Sequence, residues 1–255
     1  DLQRKYTGPC ILHHALILTS ANSYQASSGA FNLLDGTPHL VANPLTGKLE
    51  PWRVSRAYGC NNIVASENLL TFRSGSAGFY DLLSKSGTAS LGGFKSGCTA
   101  NLVVANGVLN APDYTRTCTC AYQNQTSLAL VHMPDMELWT YSQFGLDAQE
   151  GERIARIGIN FGAPGDRRAE DGTLWVEYPS VGGDSPGVPV TVTGRQVTWF
   201  RRHASQMSGA GLPWVAASGV RECETITIAP EMVRPKPSKP VRTKEDDEDE
   251  SRDPL

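Results

Sequence analysis

Short apolar runs closed by turn residues are the feature that most limits what this chain can fold into. In the first 145 residues, runs rich in Leu, Val and Ile and bounded by Gly, Asn, Ser or Pro occupy residues 11–19, 68–73, 101–106 and 127–132. Runs of this length with these boundaries are typical of β-strands. Before residue 140, no long stretch carries the i, i+3, i+4, i+7 apolar stripe of an amphipathic helix. The sequence therefore predicts an all-β fold.

Five more strands are predicted between residues 151 and 229, separated by turns rich in Gly, Pro and Asp. They occupy residues 156–162, 173–178, 188–192, 196–200 and 224–228. In the last of them Thr and Ile alternate, which is typical of a strand with one buried face. Because domains usually contain about 100 to 150 residues, the 255 residues accommodate two parts. The second part is predicted to be a small β-sandwich.

The end of the chain, residues 230–255, has a different composition. Lys and Pro alternate first, and an acidic run follows at residues 245–250. So few apolar side chains cannot offset the entropy lost on ordering. We predict a disordered tail or linker.

Composition excludes two classes of partner and indicates a compartment. The net charge of -3 and the lack of a concentrated basic patch argue against nucleic acid. No run approaches the about 18 to 20 apolar residues of a membrane span, and residues 1–5 lack the pattern of a signal peptide, so the chain is expected to begin within a longer protein. An even number of cysteines favours disulfides and an extracytoplasmic location, whether periplasmic, cell-surface or secreted. The disulfide candidates are Cys10, Cys60, Cys98, Cys118, Cys120 and Cys223.

A weak internal repeat relates residues 58–70 to residues 96–109. Its equivalent cysteines, Cys60 and Cys98, lie 38 residues apart. This spacing is close to the roughly 40 residues of a four-stranded β-propeller blade.

One segment of the first part resembles the end of a blade in the pyrroloquinoline quinone (PQQ) propeller family. In that family an Asp, a Thr-Gly turn and a Trp recur in each repeat. Here residues 40–52 contain Asn43 in the place of the Asp, then Thr46-Gly47, then Trp52 one residue late. A Thr-Gly pair favours a tight turn, and the Trp supplies a large apolar surface between blades.

Further segments are similar to the closing blades of large exported quinoprotein-like proteins of planctomycete type. These segments are residues 72–82, 92–98, 118–122 and 127–131, and residues 157–179 resemble the sandwich module that follows the propeller in those relatives. The resemblance implies that residues 1–145 are terminal propeller blades and residues 151–229 a β-sandwich. It also implies that the remaining blades of the parent protein are partners of this chain.

The sandwich also resembles malectin-like and galactose-binding-like modules, in which aromatic faces and loop polar groups hold sugars. The resemblance implies a carbohydrate site, and the alternative is that the same aromatic residues fill the core. The candidate residues are Trp175, Tyr178, Trp199, Trp214, Asn160, Asp166 and Arg167.

Quinone-dependent oxidation in the propeller family needs PQQ, a Ca²⁺ ion and an Asp base. The oxygen donors available in the first part lie in no catalytic motif, so no catalytic residue is predicted for this chain alone. They are Asp81, Asp113, Asp135, Asn61, Asn62 and Asn101.

The family also places a disulfide of adjacent cysteines against the quinone. Here one residue separates Cys118 from Cys120, so each is expected to pair elsewhere, with Cys60 and Cys98 as candidate partners. Cys10 and Cys223 are left free or bridged elsewhere. No metal site is predicted, since no second pair completes a set with Cys118, Cys120 and His132.

Three functions follow as hypotheses. The first is an extracytoplasmic binding or scaffold module of a PQQ-like propeller protein that takes carbohydrate. The second is a fragment of a PQQ-dependent dehydrogenase with PQQ and Ca²⁺ as cofactors, and the third is a structural cell-surface protein.

Overall fold

The computed structural model describes residues 8–21, 25–95, 102–112, 127–133, 136–145, 149–182 and 185–232. Within them the chain is all-β, so the predicted class is confirmed. Helical structure among these residues is limited to a 3-10 turn at Ala204–Gln206 and helix α1 at Pro213–Ala216. No helix of the described segments is long and apolar enough to cross a bilayer.

The first part is built from small antiparallel sheets. Two of them have the strand orders β1-β2-β4 and β12-β13-β14, and β8-β9-β10-β11 forms a meander that β15 extends beyond β11. The pairs β3–β7 and β5–β6 complete this part. Its strands are β1 (Ile11–His13), β2 (Leu16–Leu18), β3 (Gln25–Ala26), β4 (Ala30–Asn32), β5 (Leu40–Ala42), β6 (Leu49–Pro51), β7 (Ser55–Arg56), β8 (Val64–Ala65), β9 (Leu69–Ser74), β10 (Ser76–Asp81), β11 (Thr88–Ser90), β12 (Val103–Ala105), β13 (Val108–Ala111), β14 (Leu128–Val131) and β15 (Thr140–Tyr141).

Two predictions for the first part are refined by these strands. The internal repeat corresponds to two equivalent antiparallel hairpins, β8–β9 and β12–β13. Residues 11–19, predicted as one strand, instead form the hairpin β1–β2, because His14 adopts a φ of 50° and turns the chain back. Gly59, which precedes Cys60 in the first copy of the repeat, has a steric basis, since a Cβ there would lie 2.1 Å from the carbonyl oxygen of Arg73.

The predicted Thr-Gly turn joins β5 to β6. The Asn43 side-chain oxygen accepts the Leu45 N–H at 2.8 Å, and Gly47 takes a φ of 75°. The Asn43 amide also donates to the Phe144 carbonyl at 3.1 Å, which an Asp carboxylate cannot do. Asn at this position therefore ties the turn to a distant segment.

All five strands predicted for the second part are present. They are β17 (Gly158–Phe161), β19 (Leu174–Tyr178), β20 (Val190–Thr193), β21 (Thr198–Arg201) and β23 (Thr225–Ile228). The strands β17 and β19 are parallel, β18 is antiparallel to β19, and the remaining strands form the two-stranded ribbons β16–β24, β20–β23 and β21–β22. The strands of this part are β16 (Glu152–Arg153), β17 (Gly158–Phe161), β18 (Arg167–Arg168), β19 (Leu174–Tyr178), β20 (Val190–Thr193), β21 (Thr198–Arg201), β22 (Ser218–Arg221), β23 (Thr225–Ile228) and β24 (Glu231–Met232).

The structure corrects two details near the end of the second part. The alternation in β23 does not produce a buried face, because Ile226 and Ile228 are 40% and 42% exposed and β23 pairs only with β20 among the described residues. Glu231–Met232, which the sequence assigns to the tail, form β24 and bury Met232. The rest of the predicted disordered tail lies outside the described residues.

The hydrophobic clusters show how the two parts meet. Trp52 is buried in one of the two clusters of the first part and meets Tyr80 edge to face, with ring centroids 5.7 Å apart. Leu45, from the turn between β5 and β6, is instead fully buried in the cluster of the second part, beside Leu174 and Val176 of β19. The β5–β6 turn of the first part thus contributes Leu45 to the core against which β19 packs.

Candidate functional site

Strand β19 has a different environment on each face. Leu174 and Val176 pack into the core, whereas Trp175 and Glu177 point to the opposite face. Gly158 and Asn160 of β17 lie opposite Trp175 and Glu177 in the parallel register, so their positions share that second face. The second face therefore combines aromatic and polar groups from neighbouring strands.

The first aromatic group is formed by three Trp rings. Trp214 meets Trp139 and Trp175 edge to face, with centroid distances of 6.1 and 5.9 Å. The Arg167 guanidinium lies 5.0 Å from a Trp214 ring centre, and burial lowers the pKa of Arg167. Gly158 permits this arrangement, because a Cβ there would lie 2.1 Å from the Trp175 ring. Trp214 is only 7% exposed, so this group mainly fills space.

The second aromatic group, which we call the Trp199 surface, consists of Phe161, Tyr178 and Trp199. Trp199 stacks nearly parallel to Phe161 at an interplanar angle of 21°, and its centroid lies 5.8 Å from that of Tyr178. The Tyr178 hydroxyl donates to the Val190 carbonyl at 3.0 Å, which fixes its ring. Trp199 is 40% exposed. Phe161 and Tyr178 therefore pack against the indole of Trp199, which remains accessible to solvent.

A third group is polar and buried. Asp166 is fully buried, and its two carboxyl oxygens accept the N–H groups of Ser142 and Glu177 at 3.1 and 3.2 Å. Burial, reinforced by the adjoining Glu177 carboxyl, raises the pKa of Asp166 well above its usual range. Asn160 is also buried, and its side-chain oxygen accepts the Ser218 hydroxyl at 3.0 Å.

The seven candidate sugar-binding residues therefore lie in three places. Tyr178 and Trp199 share the Trp199 surface, Trp175, Trp214 and Arg167 form the first aromatic group, and Asn160 and Asp166 lie in the buried polar group. Their role with sugars stays a prediction, and the accessible geometry favours the Trp199 surface. Phe161 and Trp139 were not among the candidates. Phe161 sits within a strand that the sequence does predict, whereas nothing in the sequence connects Trp139 to the second part.

The oxygen donors predicted for PQQ and Ca²⁺ in the first part do not form such a site where the structure describes them. The Asp81 carboxylate accepts the N–H groups of Leu83 and Ser84 in a turn. The Asn61 side-chain oxygen accepts the backbone N–H of Arg73. Asn62 is exposed, and Asp113, Asp135 and Asn101 lie outside the described residues. No chemical step through this cofactor follows from these residues.

The cysteine predictions are only partly covered by the structure. Cys10, Cys60 and Cys223 are free thiols there. The expected role of Cys60 as a disulfide partner is therefore wrong in this structure. Cys98, Cys118 and Cys120 lie outside the described residues, so pairings among these three stay predictions. In the described segments, no three His, Cys, Asp or Glu side chains converge as a metal site.

Comparison with known proteins gives no further identification. Neither the models of protein families, nor the curated proteins, nor the solved structures contain a match to this chain.

Proposed function

We propose that this chain is a binding module of an extracytoplasmic propeller protein and that the Trp199 surface contacts a carbohydrate. The observation that carries the proposal is the exposed indole of Trp199, which is supported by Phe161 and Tyr178. Aromatic faces are suitable for the apolar C–H face of a sugar ring, while polar groups nearby fix its orientation.

Order at this surface favours binding. The Trp199 surface is formed where two sheets meet. Trp199 lies on β21, which pairs with β22, and Tyr178 lies on β19, which pairs with β17 and β18. The Tyr178 hydroxyl is already bonded to Val190, so its ring needs little ordering when a ligand arrives. Binding to a preordered surface loses less side-chain entropy.

The proposed architecture is that of terminal blades followed by a sandwich. Its support is the β8-β9-β10-β11 meander, the repeated hairpin β12–β13 and the Asn43 turn. The proposed extracytoplasmic location rests on the resemblance to exported proteins and on the even number of cysteines in the sequence, since the three described cysteines form no disulfide.

The test is a glycan-array screen of the full chain, followed by calorimetric titration with the best glycan. Trp199→Ala should weaken binding by roughly tenfold, because losing one aromatic contact of about 1.4 kcal/mol corresponds to that factor. Leu34→Ala is the control, since Leu34 is 97% exposed in the first part.

Three outcomes would contradict the proposal. Equal affinity of Trp199→Ala and the unsubstituted chain would remove the Trp199 surface from the site. Absence of any bound glycan would favour the structural cell-surface protein. Uptake of PQQ and Ca²⁺ by the full parent protein, with oxidation of an alcohol substrate, would favour the dehydrogenase.

A further inference from the structure

The carboxyl groups of Asp166 and of Glu177, a residue of β19, lie next to each other in the interior. Asp166 and Glu177 are 0% and 5% exposed, and burial together with the adjoining Glu177 carboxyl raises the pKa of Asp166. The neighbouring cations are directed elsewhere, since Arg167 stacks on Trp214 and the Arg168 Nε donates to the Gly172 carbonyl. The ion pairs His14–Glu67 and Lys48–Glu152 do not involve this carboxyl pair.

Of the seven buried side-chain nitrogen and oxygen atoms that have no hydrogen-bond partner among the described residues, four belong to this carboxyl pair and its neighbours. These four are Ser142 Oγ, Asn160 Nδ2, Glu177 Oε2 and Ser185 Oγ. Ser142 donates its backbone N–H to Asp166, and Asn160 lies opposite Glu177 in the sheet register. The Ser185 hydroxyl lies close to the Asp166 carboxyl but has no partner at hydrogen-bonding geometry.

Such a concentration is unusual in a folded interior. Leaving a buried polar atom without a partner is unfavourable, and native interiors contain few such atoms. Four such atoms around one carboxyl pair with no cation beside it fit a positively charged ligand that is coordinated by oxygen.

We propose that Asp166, Glu177, Ser142 and Ser185 bind a divalent cation, with Ca²⁺ as the best match. Two carboxylates balance its charge, and the two hydroxyl oxygens add neutral ligands. The Asn160 amide can supply a third neutral oxygen if its N and O positions are exchanged, which leaves Nδ2 able to donate to Ser218.

The ligand types select the metal. Ca²⁺ takes about six to eight oxygen ligands in irregular geometry, whereas Mg²⁺ needs a near-ideal octahedron. Zinc prefers nitrogen and sulfur ligands, which this group does not contain. With only two carboxylates, the affinity should be in the range of extracellular calcium modules, with a Kd of about 0.1 to 1 mM.

The test measures thermal unfolding of the full chain in EDTA and in about 5 mM CaCl₂, together with calorimetric titration of Ca²⁺. Ca²⁺ should raise the Tm by about 3 °C or more, and MgCl₂ at the same concentration should have a smaller effect.

Glu177→Gln distinguishes metal binding from a proton shared by the two carboxyl groups. The Gln oxygen retains the acceptor for the Ser180 hydroxyl and the Val181 N–H, while one negative charge is lost. In EDTA this variant should have a higher Tm than the unsubstituted chain, because the repulsion is relieved. In CaCl₂ its Tm increase should largely disappear, with affinity at least about tenfold weaker.

Two further variants control the result. Ser185→Ala removes a hydroxyl that has no hydrogen bond, so the Tm in EDTA should be unchanged while Ca²⁺ affinity falls several-fold. Glu170→Gln removes an exposed carboxylate and should leave the Ca²⁺ response intact. Trp199→Ala should also leave it intact, because the cation site does not depend on sugar binding.

The proposal is overturned if Ca²⁺ leaves the Tm of the unsubstituted chain unchanged. An equal Ca²⁺ response in the unsubstituted chain and in Glu177→Gln would also overturn it. A gain in Tm for Glu177→Gln without any metal dependence would instead show that the two carboxyl groups share a proton.

Discussion

Two regions of the molecule bury charge in different ways, one beside β9 and one beside β19. In the first region the buried cations Arg56 and Arg73 meet neutral acceptors. Arg56 Nη1 donates to the Asn61 carbonyl at 2.6 Å, and Arg73 Nε donates to the Gly75 carbonyl at 3.3 Å. The Arg73 guanidinium also lies 5.0 Å from the Tyr58 ring centre.

In the second region the buried charges are carboxyl groups of one sign. Asp166 accepts two backbone N–H groups, yet Glu177 Oε2 and the hydroxyls of Ser142 and Ser185 have no partner. Arg56 Nε also has no partner, so incomplete hydrogen bonding is common to both regions. The regions differ in sign and in partner, since the first buries cations bonded to neutral carbonyl oxygens and the second buries two carboxyl groups with no cation beside them.

The difference follows from the chemistry of the two charges. Arginine keeps its proton in proteins, so a fold that buries it must supply permanent acceptors. Burial lowers the pKa of Arg56, but the ordinary value lies so far above neutral pH that the guanidinium keeps its charge. A buried carboxyl group can instead be neutralised by a proton or a cation from solution. The first region is therefore structural, and the second has the character of a binding site.

The largest expected effect is that of Asn61→Ala in the first region. It removes the acceptor of the Arg73 backbone N–H beside two buried guanidinium groups. We expect a loss of about 2 to 3 kcal/mol in the free energy of unfolding, measured by urea denaturation in EDTA. The matched control is Asn62→Ala, an exposed neighbour, which should change it by less than about 0.5 kcal/mol. Equal losses for both variants would show that Asn61 does not hold the two arginines.

The same substitution in the second region should cost less. Asn160→Ala removes one hydrogen bond, from the Ser218 hydroxyl, while the amide nitrogen has no partner to lose. In EDTA we expect a loss of about 1 kcal/mol, measured under the conditions used for Asn61→Ala. A loss as large as that of Asn61→Ala would show that the Asn160 side chain stabilises the fold as strongly as the Asn61 side chain does.

The sequence predicted the strands well because strand signals are local. Apolar runs and turn residues located β9, β14 and all five strands of the second part. Pairing between distant segments was beyond the sequence, since no local pattern indicates that β15 extends the β8-β9-β10-β11 meander or that Leu45 enters the second core. The alternation in β23 was misleading, because periodicity reports a possible face but not whether another layer covers it.

The candidate site was predictable only in its residue types. Large aromatic residues identified Trp199 and Tyr178, but their separation from Trp175 and Trp214 depends on sheet register. The buried polar group had one local signal, Glu177 within the otherwise apolar strand β19. Ser142 and Ser185 had none, because their burial results from packing between distant segments.

The smallest expected effect concerns an exposed ion pair between the two parts. Lys48 Nζ lies 2.5 Å from Glu152 Oε1, and the Lys48 side chain is 73% exposed. Surface pairs contribute little, so Lys48→Met should lower the free energy of unfolding by about 0.5 kcal/mol or less at pH 7 and low salt.

The pH dependence of this loss distinguishes charge from packing. The hydrogen bond from Lys48 lowers the pKa of Glu152, so the pair stabilises the fold above the ordinary Glu pKa and this contribution is lost as the pH falls through the lowered value. Urea denaturation at several pH values should therefore show the loss at pH 7 and little difference in acid. High salt should also reduce it, and Lys48→Arg should retain most of the stability. A loss that persists in acid and in high salt would mean that the aliphatic part of Lys48, and not its charge, stabilises the contact. The ion pair itself would then contribute almost nothing to the free energy of unfolding.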